Sequence, residues 1–229
     1  MPPFLILIAA VGLLALLFGP SLWARHVLAA HSGARPDFPG TGGELARHLL
    51  DEAGLGQVTV EAVESGDHYD PTAKAVRLSR SNHDGRSLTA VATAAHEVGH
   101  ALQDRDGYGP LHSRTELVRA SHVIQRVGSV IIFAAPILAL LARSPTIGFL
   151  GIGAGIMTLA INVAINLITL PVEFDASFGR ALPLLKAGRY LDQADLPAAH
   201  RILKACALTY VAASLSALLN LANWIRYLR

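Results

Sequence analysis

The stretch His96-Glu97-Val98-Gly99-His100 lies inside a proline-free run, residues 87–103, whose composition is typical of an α-helix. Residues four positions apart share one face of a helix, so both imidazoles can point at the same metal ion. Glu97 lies about 100° round the helix, where its carboxylate can reach a water on that ion without binding the ion itself. The spacing predicts a catalytic zinc site with Glu97 as the general base.

The residues in and around this motif are small. Ala94, Ala95 and Ala101 flank it and Gly99 lies within it, so another segment or a substrate backbone can approach the helix closely. The alternative interpretation is a surface helix with two solvated histidines. A chance HExxH is rare even in a chain with ten histidines, and the motif therefore favours a metal site.

The overall composition is that of a membrane protein. Of the 229 residues, 52% are hydrophobic and 16% are charged, which is more apolar than a soluble domain of this length. The formal net charge of +2 gives no reason to expect a nucleic-acid partner. The single cysteine, Cys206, excludes an internal disulfide and a cysteine-based metal site.

Four uncharged stretches approach or exceed the roughly 20 apolar residues that a membrane-spanning helix needs. The predicted transmembrane helices are residues 1–23, 127–142, 144–172 and 205–225. Between them lie a catalytic loop domain with the HEVGH helix, residues 24–125, and a second catalytic loop, residues 173–204. No lysine or arginine precedes the first helix and no small-x-small cleavage site follows it, so we expect an anchor there and not a cleaved signal peptide.

Basic residues near the membrane ends are concentrated in these two loops. The positive-inside rule therefore places both loops in the cytoplasm and both chain ends outside, although the basic C-terminus argues for the opposite orientation. Within the larger loop, residues 41–53 predict a helix that Gly54 ends. Residues 57–63 alternate like a strand, a turn follows at Gly66, and Ala75–Ser79 is predicted to return as the second strand of a small β-hairpin.

The third zinc ligand does not follow from the motif. No histidine occurs at the HExxHxxGxxH spacing, so the candidates are acidic residues further along the chain. Glu173 and Asp175 directly follow the third membrane segment, and either can be the ligand; Glu173 can also be an ordinary charge at a helix end. His68 or Tyr69 could donate a hydrogen bond to the oxyanion of a reacting peptide. Asp70, before a proline, is predicted to form a turn.

Four segments together resemble the YugP-type membrane zinc metallopeptidases of bacteria. They are Asp67-His68-Tyr69-Asp70-Pro71, Ala94-Ala95-His96-Glu97-Val98-Gly99-His100-Ala101-Leu102-Gln103, Glu173-Phe174-Asp175-Ala176-Ser177, and the strand that ends Arg77-Leu78-Ser79. The resemblance runs from the first membrane segment to the last. It implies a zinc-dependent neutral peptidase embedded in the bacterial cell (inner) membrane.

A more distant similarity concerns the third of these segments. It is similar to the EFxAD segment of the gluzincin membrane proteases, in which Glu173 matches the metal-binding glutamate. Their following aspartate falls at Ser177 here, so the carboxylate behind the ligands is missing or is replaced by Asp175. The resemblance also implies that the strand before the HEVGH helix is an exposed edge. Its residues Ala75, Val76, Arg77 and Leu78 would then bind an extended peptide substrate by β-augmentation.

Together these observations predict a mainly α, polytopic membrane protein with about four transmembrane helices and a zincin-like cytoplasmic catalytic domain that carries a small β-hairpin or edge strand. One Zn²⁺ would be held by His96, His100 and Glu173. Glu97 would take a proton from the attacking water and return it to the leaving amine. The expected partners are a protein or peptide substrate and the lipid bilayer, without nucleic acid; a membrane-protein partner or a homo-oligomer is left open.

Two other functions compete with this one. A site-2-type intramembrane protease needs HExxH within a membrane helix, but Arg86, Asp104 and Arg105 bracket a run too short and polar for that. A metal-stabilised membrane scaffold or binding protein would have no need of the base, so it would keep its function after Glu97→Gln.

Overall fold

The computed structural model describes residues 3–64 and 66–209. Its helices are α1 Pro3–Ala30, α2 Gly42–Glu52, α3 Arg80–His83, α4 Leu88–Arg105, α5 Gly109–Leu141, α6 Pro145–Phe174, a π-helical segment Asp175–Ala181, and α7 Leu182–Ala187. A further helix, α8, covers 196–209, where the description ends. The strands are β1 Thr59–Val63, β2 His68–Asp70 and β3 Ala75–Ser79. The expectation of a mainly helical chain with a small sheet is confirmed.

The two loops, residues 24–125 and 173–204, are together called the polar domain. Helix α4 carries the HEVGH motif and lies at its centre. Ser87 caps its first turn by accepting a hydrogen bond from the Ala90 N–H, and all its residues from 88 to 103 are buried. It packs against α2 and against the π-helical segment. A Cβ on Gly99 would lie 2.6 Å from the Ala176 carbonyl oxygen, so only glycine allows this approach. The close contact brings the chain around Glu173 next to the two histidines.

Helices α5 and α6 form a long hairpin that is joined by residues 142–144. Gly151 of α6 lies against Ala135 of α5, since a Cβ there would come within 2.7 Å of the alanine side chain. The predicted membrane segment 127–142 is the second half of one 33-residue helix that begins at Gly109. The helix is continuous across the expected boundary at residue 125, and no proline separates its polar half from its apolar half.

Within residues 3–64 and 66–209, one helix is long and apolar enough to cross a bilayer, namely Gly109–Leu141. Pro145–Thr158 is apolar but shorter. Most of the predicted fourth span, residues 210–225, lies outside the described residues. The four-span arrangement therefore stays a prediction.

The strand order differs from the predicted hairpin. β3 lies between β1 and β2, paired in parallel with β1 and antiparallel with β2. The hairpin consists of β2 and β3. Its turn is the one predicted at Asp70, whose Oδ1 accepts hydrogen bonds from the backbone N–H groups of Thr72 and Ala73 at 2.9 and 3.0 Å.

The expectation that β3 is an exposed edge is wrong. Its backbone pairs with a strand on each side, and Ala75, Val76 and Leu78 are fully buried. Arg77 is only partly buried, and its guanidinium pairs with Glu61 at 2.9 Å and with Asp70 at 2.7 Å. The prediction failed because the three-residue strand β2 is too short for an alternating pattern to reveal it. Among the described strands, β1 and β2 are the edges.

The Gly99 contact yields a first prediction. Gly99→Val should lower the free energy of unfolding by about 1–3 kcal/mol, because the new side chain meets a backbone carbonyl and cannot displace it without moving the segment. Each kcal/mol should lower the thermal unfolding midpoint in detergent by about 2–4 °C. The control is Gly153→Val in α6, where an added Cβ meets nothing within 4 Å and the midpoint should stay unchanged. Equal midpoints for both variants would contradict the close packing at Gly99.

Candidate metal centre

Two histidines and one glutamate from distant parts of the chain meet at one point. The Nε2 atoms of His96 and His100 each lie 3.2 Å from Glu173 Oε2. All three side chains are buried, and the two imidazole planes are inclined by 77°. The structure thus brings together the three residues that the sequence predicted as ligands, and these form a group that could hold a metal ion.

Ser177 determines which nitrogen of His96 carries the proton. The Ser177 hydroxyl donates its hydrogen to the Leu203 carbonyl at 3.0 Å, so it can only accept at its second contact, 3.0 Å from His96 Nδ1. Nδ1 therefore carries the hydrogen of a neutral imidazole. Its Nε2 lone pair is directed at Glu173, which is the form that binds a metal.

Gln103 determines which nitrogen of His100 carries the proton. The Gln103 amide nitrogen donates to the Val172 carbonyl at 2.8 Å and to Asp175 Oδ2 at 2.9 Å, which turns its carbonyl oxygen towards the histidine. That oxygen lies 2.9 Å from His100 Nδ1 and accepts its hydrogen. Both histidines thus present an unprotonated Nε2 to the same carboxylate oxygen.

This donor set fits a zinc ion. Zinc–ligand distances of about 2.0–2.2 Å place neighbouring donors in a tetrahedral site about 3.3 Å apart, close to the 3.2 Å found here. Two lone pairs and an anionic oxygen repel one another unless a cation or a proton lies between them. Burial opposes the charged form of His100, but the charge of Glu173 outweighs burial and raises the pKa of His100 above its ordinary value.

Glu97 lies beside this cluster on a wall that two cavities share. One cavity, of about 270 Å³, reaches from Glu97 and His96 to Leu28 and Asp67. The other, of about 220 Å³, is lined by residues including Tyr69, Glu97, His100, Arg114 and Val118. Burial raises the pKa of Glu97 above that of an ordinary carboxyl, and the neighbouring histidines oppose this shift. A raised pKa suits a carboxylate that must hold a proton between two steps.

The other predicted site residues occupy more distant positions. The Tyr69 side chain reaches the second cavity, but its hydroxyl donates to Asp104 Oδ2 at 2.6 Å. His68 Nδ1 lies 3.4 Å from the Gly66 carbonyl oxygen. Asp175 accepts hydrogen bonds from Gln103 and from Arg180 Nε, both at 2.9 Å, and so supports His100 indirectly. Glu173, not Asp175, faces the histidines.

Arg114 is a site residue that the sequence did not reveal. Its Nη1 lies 3.1 Å from Glu173 Oε1, the carboxylate oxygen that faces away from the histidines. The contact holds the carboxylate with its other oxygen towards both Nε2 atoms. No local spacing links Arg114 to the HEVGH motif, because the two meet only when α5 packs near α4. Gln103 gave a weak signal, because it lies three residues after His100, and Ser177 gave one only through the resemblance of residues 173–177 to the gluzincin segment.

Comparison with known proteins agrees with this geometry. The model of a family described as "Putative neutral zinc metallopeptidase" matches residues 5–229. A protein of Bacillus subtilis (strain 168) named "Putative membrane protease YugP" is 36% identical over 224 residues, which cover 95% of this chain and 92% of that protein. No solved structure matches the chain. The resemblance found in the sequence is confirmed, and the chain belongs to this zinc metallopeptidase family.

Proposed function

We propose that the chain is a membrane-embedded zinc metalloprotease that hydrolyses peptide bonds. The observation that carries the proposal is the convergence of two histidine Nε2 atoms and the Glu173 carboxylate beside Glu97, at the junction of two cavities. His96, His100 and Glu173 would hold one zinc ion. A zinc ion in such a site polarises a peptide carbonyl and lowers the pKa of water to about 7.

The protein's own groups perform the proton transfers. Glu97 accepts a proton from the water that attacks the carbonyl carbon, and then donates it to the nitrogen of the leaving amine as the C–N bond breaks. Burial raises the pKa of Glu97, which favours its holding the proton between the two transfers. Ser177 and Gln103 keep the imidazoles oriented throughout, since their hydrogen bonds to Nδ1 do not depend on the substrate.

The substrate would lie across Glu97, with residues on either side of the cleaved bond in the two cavities. The edge strand next to the second cavity is β2, so an extended peptide can pair with His68–Asp70 instead of with β3. Tyr69 is the nearer of the two proposed oxyanion donors, although its hydroxyl must first leave Asp104. Arg114 lines the same cavity and can approach a developing negative charge.

Membrane insertion is part of the proposal. The apolar helix Gly109–Leu141 and the name of the Bacillus subtilis relative support membrane association. We propose that residues 1–23, 127–142, 144–172 and 205–225 span the membrane and that the site faces the cytoplasm. An intramembrane protease is disfavoured because α4 is enclosed by the polar domain. A scaffold is disfavoured because it has no use for the carboxylate of Glu97. This carboxylate is buried beside the three candidate ligands and is not one of them.

The ligand assignment predicts how zinc content responds to mutation. Glu173→Ala should reduce bound zinc to a small fraction of one ion per purified chain, because it removes a donor atom. Asp175→Asn should retain the ion with an affinity about 10–100-fold lower, as expected for a group that supports a ligand. Glu116→Ala, an exposed acid on α5, is the control and should bind zinc normally. Loss of zinc in Asp175→Asn with retention in Glu173→Ala would reverse the assignment.

The role of Glu97 predicts a separation of binding from catalysis. Glu97→Gln should keep one zinc ion and the parent's thermal stability, while cleavage of an unfolded test protein falls by about 10²–10⁴-fold. Zinc analysis, thermal unfolding and the cleavage assay should be run on the same preparation. Cleavage at the parent's rate would exclude Glu97 as the base, and an inactive parent with bound zinc would favour the scaffold.

The membrane orientation can be tested with single cysteines in a Cys206→Ala background. Gln193→Cys lies at an exposed position of the second loop, and Arg143→Cys lies at the exposed tip of the α5–α6 hairpin, between the two proposed spans. In intact cells, a membrane-impermeant thiol reagent should label Arg143→Cys and should label Gln193→Cys only after lysis. The opposite pattern would place the metal centre outside the cytoplasm.

A further inference from the structure

Helix α1 joins an apolar surface directly to the active-site cavities. Its large apolar side chains are exposed up to Leu22 and Trp23, whereas Ala24 and Val27 are buried in the domain core. Leu28, five residues after Trp23, lines the cavity that contains Glu97. The Thr89 hydroxyl donates to the Leu28 carbonyl at 2.8 Å, which fixes this end of α1 to the start of α4. At a helical rise of 1.5 Å per residue, Trp23 lies about 8 Å from the level of the cavity.

Helix α5 gives an independent measure of the same distance. Val118 lines the second cavity, and Val127, at the start of the uncharged stretch, is nine residues further along the helix. This spacing corresponds to about 14 Å. Exposed apolar side chains begin even closer, since Val123 is 64% and Ile124 is 41% exposed.

Helix α6 gives a third measure. A bilayer core takes about 20 helical residues, so the lipid-covered part of the proposed span 144–172 reaches at least to about residue 164 when the helix enters at Pro145. Glu173 is nine residues later, again about 14 Å. The ring of Phe174, immediately after this ligand, is 39% exposed. Any tilt of the three helices makes these heights smaller, so each is an upper limit.

We propose that this protease acts on membrane-anchored polypeptides and cuts them within about the first eight residues outside the bilayer. The inference rests on the proposed hydrolytic function and adds the substrate class. Three helices that leave the apolar layer on the same side place the metal centre about 8–14 Å from it. An extended chain advances about 3.3 Å per residue, so three to five residues reach the site and a few more occupy the cavities.

The short distance between the metal centre and the bilayer also requires the substrate to be unfolded where it is cut. A folded domain is tens of ångströms across and cannot bring its backbone to a site so close to the lipid, but an unfolded juxtamembrane segment can. The reaction is ordinary hydrolysis: water adds hydroxyl to the carbonyl carbon and hydrogen to the amine, and the anchored stub stays in the membrane. An anchored chain is held at the height of the cavities, whereas a soluble chain must reach them from the bulk solution.

The test compares cut positions in anchored substrates. The full-length protein with zinc is reconstituted in vesicles of phosphatidylethanolamine and phosphatidylglycerol together with a single membrane helix that carries a long unfolded polar tail. A second substrate has 20 unfolded residues inserted between helix and tail, and a third is the tail alone. Mass spectrometry maps each cut, and Glu97→Gln identifies cuts made by any contaminating protease.

We expect the first two substrates to be cut at the same distance from the helix, although their sequences there differ, and the free tail to be cut at least tenfold more slowly. The cut position is stronger evidence than the cleavage rate, because sharing a vesicle accelerates any reaction of an anchored substrate. Cuts that move by 20 residues with the insertion, cuts spread along the tail, or equal rates for the free tail would overturn the inference and leave the proteolytic function standing. If zinc-loaded protein cleaves none of the three, the proposed function itself fails.

Discussion

The convergence of two imidazoles on the Glu173 carboxylate is the contact on which the rest of the site depends. It requires the end of α6 to lie against the middle of α4, and the absence of a side chain at Gly99 permits that approach. Ser177 and Gln103 then connect the imidazoles to α8 and to the end of α6 through backbone carbonyls. Three segments far apart in sequence, namely α4, the chain around residues 172–177 and α8, thus meet through two side chains, so metal binding and folding of the domain should be coupled.

The same contact links the chemistry to the apolar α5–α6 hairpin. Glu173 belongs to a helix whose other end is apolar, and Arg114, which pairs with Glu173, belongs to the helix packed beside it. The α5–α6 hairpin therefore supplies both the third ligand and the residue that orients it. A displacement of this hairpin relative to α4 would move both groups together, and a misplacement of about 1 Å can cost a hundredfold in rate.

The sequence was informative where the constraint was local. An i,i+4 histidine pair, the helix at residues 41–53 with Gly54 after it, and the turn at Asp70 each depend on a few consecutive residues, and the structure has all three, the helix as Gly42–Glu52. Glu173 needed the family resemblance, since nothing local separates it from Asp175. Strand order and Arg114 could not be predicted, because the pairing of β3 with β1 and the approach of α5 are settled by packing between distant segments.

Charge balance gives an independent reason to expect a dication at this point. The two cavities and the ligand cluster contain three carboxylates, those of Asp67, Glu97 and Glu173. Among the residues that line these cavities, the one lysine or arginine is Arg114, and the hydrogen bonds at Nδ1 favour neutral histidines. These groups together are therefore two units negative, and two of the three carboxylates, Glu97 and Glu173, are buried, which is costly. Protons on the histidines and on Glu97 can relieve it, but only by blocking the ligand atoms and the base. A divalent ion balances the charge and leaves both free for catalysis.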